Sequence, residues 1–370
     1  MKTNIKIFAM LLVTGMLAIS SCTKDDKTEP LTQEEAKTVL TSAGKEMETT
    51  MMEVMTTPAT GALMNLMVLT NFDISLTPQT LPFANLLLNP TKFDAQVVVK
   101  NLIAPTVINT KEGNPTPETG TFTWNFTDKK WDYNQAPSDK LVYIFPSNEE
   151  QTTNDAVLKI SDITEVSQNN ESFPTSALIS LTIDEKDAMQ VNYAATLSNK
   201  GLEDLGIDIT MGTFQLGANL LATSTSNSVK VTVSHSIKKQ NVSISSSNIE
   251  LVVDGITSIN PFTMENVDNE LIPKTIKGYL QMGEVKAQID CAVTAYLAAT
   301  INATDPNIAV SAANEHLKIG FYSYPNGAKM GLVVWEWDVA EREITPFFEY
   351  NNGTKEALDK AFDFSIDFDF

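Results

Sequence analysis

The sequence predicts a mainly β protein, α+β at its N-terminus, in which antiparallel sheets form a curved or barrel-like body packed against a pair of amphipathic helices. Two observations predict this fold class. A strong helical pattern is confined to residues 32–72. After residue 73, short β-prone runs follow one another, broken by Pro, Asn and Gly, with no helical crossovers between them. Strands that follow one another without crossovers form antiparallel sheets.

The first predicted element is an amphipathic helix that begins at a capping box. Thr32 precedes Glu35 at capping-box spacing, and apolar residues then recur at helical spacing as far as Met55. A second, more apolar segment from Ala59 to Phe72 is predicted to pack on the same core. Six of the 14 methionines lie between Met47 and Met67. Because methionine adapts to cores and to ligands alike, these helices either complete a solid core or close over an apolar cavity.

The β region divides by its pattern of strands and loops into two parts, which form either one domain or two. Residues 73–175 hold short strands and long loops, and residues 176–370 hold an antiparallel meander. The predicted strands of the first part are Phe93 to Leu102, Gly120 to Phe126, Lys129 to Tyr133, Lys140 to Phe145 and Ala156 to Ile160. Those of the second part are Ala177 to Ile183, Met189 to Leu197, Ile207 to Gln215, Val229 to Ile237, Val242 to Val253, Gly278 to Asn302, Leu317 to Tyr324, Met330 to Val339 and Phe362 to Phe370. Tyr324 to Gly327 is a turn signal, and the long interval from Gly278 to Asn302 needs a bend, predicted at Gly283.

Composition argues against nucleic acid as a partner. The chain has 46 acidic and 26 basic residues, a formal charge of −20, and Arg342 is its one arginine. Guanidinium groups make the bidentate contacts to phosphates and base edges, so the chain nearly lacks the side chains for them. Cys22 and Cys291 are the two cysteines. Cys291 lies in an apolar run and is predicted to be a small buried hydrophobic residue.

The N-terminus has the three parts of an export signal. Lys2 and Lys6 form a positive start, an apolar stretch follows, and small residues precede Cys22. The run Ile19-Ser20-Ser21-Cys22 resembles the lipobox of bacterial lipoproteins. The resemblance implies that residues 1–21 are a signal peptide and that Cys22 becomes the acylated first residue of the mature chain. Residues 22–31 would then tether the protein, through its acyl chains, to the outer membrane.

The residues after Cys22 carry a second resemblance. Thr23-Lys24-Asp25-Asp26-Lys27 resembles the export signal that places lipoproteins of Bacteroidota on the outer face of the outer membrane. Lys24, Asp25 and Asp26 are therefore the predicted export signal, and the implied location is lipid-anchored and facing the cell exterior. Both resemblances cover residues 1–27 alone and imply nothing about the fold that follows.

No motif assigns a catalytic residue, a metal or a cofactor. His235 and His316 lie far apart and in no metal-ligand spacing, and hydrolase, nucleotide and dinucleotide fingerprints are absent. Glu336 and Asp338 lie two apart on one predicted strand, so their carboxylates share a face and are roughly 6 to 7 Å apart. That spacing suits a carboxylate-dependent glycan hydrolase, and it suits a solvated strand face equally.

Two pairs of tryptophans are the candidate binding residues, together with Glu336 and Asp338. The pairs are Trp124 with Trp131 and Trp335 with Trp337. An indole plane beside carboxylates and amides suits the apolar face of a sugar and its hydroxyl groups. The alternative interpretation is that the second pair anchors the sheet core and that the first is a cross-strand pair stabilising a hairpin.

These observations predict a surface-anchored outer-membrane lipoprotein with a non-catalytic ligand-binding role, and a glycan is the first candidate ligand. One alternative is an apolar ligand, such as a lipid, bound in a β cavity. Another is an unrecognised carboxylate-dependent glycan hydrolase. A third is a component of an outer-membrane β-barrel, because the alternating residues from Phe362 to Phe370 resemble the closing strand of such barrels.

Overall fold

The computed structural model describes residues 29–70, 119–137, 139–168, 171–199, 201–257, 273–339 and 343–362. Several predictions lie outside these ranges. They are the signal peptide, the acylation of Cys22, the export signal Lys24 to Asp26, the strand Phe93 to Leu102 and the C-terminal residues 363–370.

The described chain contains five helices and sixteen strands. The helices are α1 (Gln33–Met55), α2 (Pro58–Leu69), α3 (Val293–Thr300), α4 (Pro306–His316) and α5 (Leu358–Phe362). Strands of the first half are β1 (Gly120–Asn125), β2 (Lys130–Asn134), β3 (Leu141–Phe145), β4 (Ala156–Gln168), β5 (Glu171–Ile183), β6 (Lys186–Ser198), β7 (Gly201–Met211) and β8 (Phe214–Ser224). Those of the second half are β9 (Ser228–Lys239), β10 (Val242–Asp254), β11 (Thr275–Met282), β12 (Val285–Cys291), β13 (Leu317–Ser323), β14 (Lys329–Asp338), β15 (Glu343–Tyr350) and β16 (Lys355–Ala357).

All sixteen strands belong to one sheet, whose order runs from β16 down to β3 and then β1 and β2. From β3 to β16 the order in space is the order in the chain, so this part is a meander. Its neighbours pair antiparallel, whereas β1 lies parallel to β3. The predicted fold class, mainly β with antiparallel pairing and an N-terminal helical pair, is confirmed. Strands β2 and β16 are the two edges, so the sheet is open across the described residues.

Helix α1 begins at the predicted capping box. The Thr32 hydroxyl accepts a hydrogen bond from the Glu35 backbone N–H at 3.3 Å, and the Glu35 carboxylate accepts one from the Thr32 N–H at 2.9 Å. These bonds satisfy backbone donors that a helix start leaves unpaired, and they lower the pKa of Glu35. The second helix follows at Pro58, after the N-cap Thr57, and ends at Leu69. No helix in the described ranges has both the length and the hydropathy needed to cross a membrane.

The two N-terminal helices cross the strands on the apolar face of the sheet. Leu31 donates its N–H to the Lys329 carbonyl at the start of β14, and the Asn65 side chain donates to the Pro146 carbonyl just after β3. Two core clusters lie under them: a first cluster against α2 and strands β3 to β10, and a second against the start of α1 and strands β10 to β15. Met47 packs against both clusters. The methionines that face the sheet therefore take part in core packing.

The interval from Gly278 to Asn302 is a correction to the predicted strand. The structure divides it into β11, a turn at Gly283 with φ of 50°, β12 and helix α3. The turn matches the predicted bend. The helix was missed because a short apolar run is compatible with a buried strand and with a buried helix, and periodicity alone does not separate them.

Further elements differ from the prediction. Strands β8 and β16 were not predicted. Helix α4 was not predicted, although Asp305 accepts a hydrogen bond from the Asn307 N–H as an N-cap and Pro306 is the first helical residue. Strand β15 was not predicted either, and it contains Pro346, a residue type that is unfavourable in a central strand. Pairing between β15 and β16 begins at Phe347. In the described chain Pro346 therefore has a neighbour on one side only, which is strand β14. Phe362, the predicted start of a last strand, instead ends helix α5.

Candidate functional site

The predicted site on β14 is divided between the two faces of the sheet. Trp335 is 2% exposed, lies in the second core cluster, and donates its indole N–H to the Leu317 carbonyl at 3.0 Å. Trp337 packs against the same cluster. Residues that alternate along a strand point to opposite faces, so Glu336 and Asp338 lie on the other side of the sheet. The geometry of this strand supports the core-anchor interpretation of its tryptophans, since the indoles and the carboxylates do not share a surface.

Glu336 belongs to an ion-pair cluster at the edge formed by β14, β15 and β16. Its carboxylate lies 2.7 Å from the Lys355 Nζ, which is also 3.4 Å from the Glu349 carboxylate. The hydrogen bond to Glu336 raises the pKa of Lys355. A carboxylate that is held by a lysine ammonium is a weak candidate for general acid or base work on a sugar.

The other two tryptophans form an aromatic cluster at the opposite edge of the sheet. Trp124 and Trp131 stand opposite each other on β1 and β2, with ring centroids 5.5 Å apart and planes at 70°. Trp131 also contacts Tyr143 edge-on at 5.4 Å, and its indole N–H donates to the Leu69 carbonyl at the end of α2. Both tryptophans pack against the first core cluster. This is the geometry of the cross-strand interpretation, with the added role of holding helix α2 to the hairpin.

The buried histidine is held between two serine hydroxyls. His235 on β9 has its Nε2 3.1 Å from the Ser245 Oγ and its Nδ1 2.5 Å from the Ser247 Oγ, both on β10. Burial lowers the pKa of His235 to about 4. The thiol of Cys291 is buried as predicted, and burial raises its pKa to about 12. Neither side chain is placed to act on a ligand in solvent.

A different group of side chains lies together on the polar face of the sheet, opposite the helices. We call it the lysine–tyrosine face, and it consists of Asn248, Tyr279, Lys286, Gln288 and Tyr322. The strand register brings it together, since Asn248 stands opposite Tyr279, Tyr279 opposite Gln288, and Lys286 opposite Tyr322. Four neighbouring strands, β10 to β13, thus supply one surface.

The Tyr279 ring contacts the lysine, and Tyr322 stands opposite the lysine on β13. The Nζ of Lys286 lies 4.6 Å from the centroid of the Tyr279 ring. The Tyr322 ring leans over Gly320, where an added Cβ would lie 3.1 Å from the ring Cε2 and Oη. A side chain at Gly320 would therefore have to displace this ring. Partial burial lowers the pKa of Lys286, because removal of water disfavours the charged form.

The polar groups of this face form no hydrogen bond or ion pair with the described residues. Asn248, Lys286 and Gln288 form no side-chain hydrogen bond and no ion pair there, and the Tyr279 and Tyr322 hydroxyls donate none. The neighbouring Lys277, by contrast, pairs with Asp290 at 3.2 Å. Polar groups that lack such partners are available to a ligand.

The charged side chains on the polar face of β10 to β13 balance one another. They are Lys277, Lys286 and Lys318 against Glu250, Asp254 and Asp290. Lys277 and Lys318 both stand opposite Asp290, whereas Lys286 stands opposite Gln281 and Tyr322. The described residues contain no group of three or more His, Cys, Asp or Glu side chains arranged to hold a metal ion.

Sequence reasoning missed this face. The alternation of Lys277, Tyr279 and Gln281 with apolar residues is a visible signal that these side chains share the polar side of a strand. Their neighbours across the sheet depend on the register of three strand pairs, which the pattern of a single strand does not contain.

Comparison with known proteins adds only weak likeness to solved structures. No protein-family model matches the chain, and no curated protein matches it. The crystal structure of a porin-like protein from Bacteroides vulgatus ATCC 8482 is similar over 64% of this chain and 89% of that chain, with 8% identity and a TM-score of 0.17. A TM-score of this size does not establish a shared fold, and no function follows from it.

Proposed function

We propose that this protein is a surface-anchored outer-membrane lipoprotein with a non-catalytic role, and that it binds a glycan on the lysine–tyrosine face. One observation carries the proposal: the side chains of Asn248, Lys286 and Gln288 stand beside two tyrosines and, among the described residues, form no hydrogen bond or ion pair. Aromatic rings offer planes to the apolar faces of sugars, and amides and ammonium groups offer hydrogen bonds to hydroxyls.

The anchoring part of the proposal rests on the N-terminal sequence. Cys22 follows a lipobox-like run, and Leu31 is bound to the Lys329 carbonyl in the folded body. The tether between these two residues has a reach of roughly 30 Å when fully extended, so the body would stay close to the lipid surface. The run Lys24 to Asp26 supports display on the cell exterior.

The non-catalytic part rests on the state of the reactive side chains. Glu336 is paired with Lys355, and His235 and Cys291 are buried. An apolar-ligand role would need an empty space beneath the helices, whereas Met47 and Met51 pack there against the core. The glycan role is therefore the one that the polar face favours.

The test is glycan binding by the full chain, purified from membranes in detergent and applied to an array of neutral and acidic saccharides. Replacing both Tyr279 and Tyr322 with Ala should lower the affinity about tenfold or more, because both stacking planes are lost. Phe126→Ala is the matched control, since Phe126 is an exposed aromatic residue in the β1–β2 turn. Absence of saccharide binding by the wild type, or wild-type affinity in the doubly substituted protein, would refute the proposal.

A further inference from the structure

Resting on the proposed glycan-binding function, we propose that the lysine–tyrosine face selects acidic saccharides. In this arrangement the carboxylate of the sugar pairs with the Lys286 ammonium while the sugar ring lies against Tyr279 and Tyr322. The proposal follows from two properties of the face: among the described residues no carboxylate pairs with the Lys286 ammonium, and this ammonium lies over the Tyr279 ring with Tyr322 opposite Lys286 on the next strand.

Lys286 is the side chain that distinguishes acidic from neutral ligands. Its Nζ lies over the Tyr279 ring and, among the described residues, no carboxylate pairs with it. A neutral ligand that covered this ammonium would remove more of its water without supplying a counter-charge, which is unfavourable. A carboxylate would replace the lost water with a charge-assisted hydrogen bond.

The strand register places no carboxylate directly across from Lys286. Its cross-strand neighbours are Gln281 on β11 and Tyr322 on β13. Asp290, with Lys277 and Lys318 on either side of it, lies four residues farther along β12, roughly 13 Å away, and charges beyond a Debye length of about 8 Å are largely screened at physiological salt. The ammonium of Lys286 is therefore the charge that a bound carboxylate would meet first.

The spacing of the rings fits an extended ring-shaped ligand. Tyr279 is on β11 and Tyr322 on β13, so their strands are roughly 10 Å apart, with Lys286 and Gln288 on β12 between them. A saccharide that lies across β12 can contact both rings and meet the lysine and the amide from above. Asn248 on β10 adds an amide at the Tyr279 end of the face.

The experiment compares matched pairs of saccharides that differ only in charge. Oligogalacturonate and oligosialic acid are titrated into the full chain by calorimetry, each beside its neutral methyl ester. We expect at least one of the two acids to bind about tenfold or more tightly than its ester, as a charge-assisted contact is gained. This preference should weaken as salt is added.

Three variants assign the preference to one ammonium. Lys286→Met keeps the length of the side chain without its charge and should abolish the preference, whereas Lys286→Arg should retain it. Lys230→Met is the matched control, because Lys230 on the same sheet already pairs with Glu250 at 2.5 Å. Thermal unfolding of each variant verifies that the fold is intact.

The outcomes separate this inference from the proposed function. Equal affinity for acids and esters, binding of neutral saccharides alone, or a preference that survives in Lys286→Met would overturn acid selection by Lys286 and leave glycan binding standing. If no saccharide of either kind binds the folded wild-type chain, both proposals fail together.

Discussion

Trp335 and Glu336 are neighbours in the chain and lie on opposite sides of the sheet. The indole of Trp335 donates to the Leu317 carbonyl inside the core, and the carboxylate of Glu336 accepts from Lys355 outside it. The backbone of Trp335 is held as well, since its N–H donates to the Asn314 side chain and its carbonyl accepts from the same amide, each at 2.8 Å. This strand thus links helix α4, the core and the sheet edge.

Trp335→Ala should destabilise the protein by about 3 to 5 kcal/mol, because removal of a large buried side chain leaves a cavity. The measurement is urea unfolding of the full chain, followed by far-UV circular dichroism. Tyr322→Ala serves for comparison, since Tyr322 is half-buried on the polar face. Its loss in free energy of unfolding should be clearly smaller than that of Trp335→Ala. Equal losses in the two variants would contradict the assignment of Trp335 to the core.

The protein should become less stable as pH is lowered, because of His235. Its pKa is about 4 in the folded chain, against about 6.5 for an unperturbed histidine. Between these two pKa values the unfolded state binds a proton at His235 and the folded state does not. The contribution of His235 to the free energy of unfolding is therefore complete above pH ~6.5 and is lost as pH falls toward 4. At pH ~4.5 the loss should be about 2 to 3 kcal/mol.

The measurement is the free energy of unfolding at pH ~7.5 and pH ~4.5 for the wild type and for His235→Gln. Other groups titrate in both proteins, so the difference between their pH dependences isolates His235. His316→Gln keeps His235 and should behave as the wild type does. If His235→Gln loses as much stability as the wild type between the two pH values, the histidine is not responsible.

Acylation of Cys22 is expected from the lipobox-like run. Metabolic labelling with a fatty-acid probe should mark the wild type and leave Cys22→Ser unmarked. Cys291→Ser is the matched control, because its thiol is buried and the label should be unaffected by its loss. Label that persists in Cys22→Ser would mean that the resemblance to a lipobox has been misread.

Display on the cell exterior is expected from Lys24, Asp25 and Asp26. Protease added to intact cells should degrade the wild type, and replacing these three residues with Ala should protect the protein. Replacement of Thr28 and Glu29 with Ala provides the control for a change in the same tether. A wild type that resists protease until the outer membrane is opened would show that it faces inward.

Much of the fold is predictable because it depends on local pattern. The capping box at Thr32 and Glu35 requires only the spacing of two side chains, and the turn before β14 requires only Tyr324 to Gly327. Apolar alternation along single strands predicts which side chains are buried, as it does for Val229 and Val231. Short apolar runs such as Val293–Thr300 lack this information, since a helix and a strand both bury them.

The sequence by itself determined the antiparallel, mainly β class, the N-terminal helices and the faces of many strands, because each follows from residues close together in the chain. Only the tertiary structure decided which side chains meet. Lys286 and Tyr322 come together through the β12–β13 register, and helices α3 and α4 lie between these strands in the chain. A shift of one residue in that register would turn one of the two to the other side of the sheet. The lysine–tyrosine face therefore depends on how neighbouring strands align, which core packing and turn geometry set across the whole sheet.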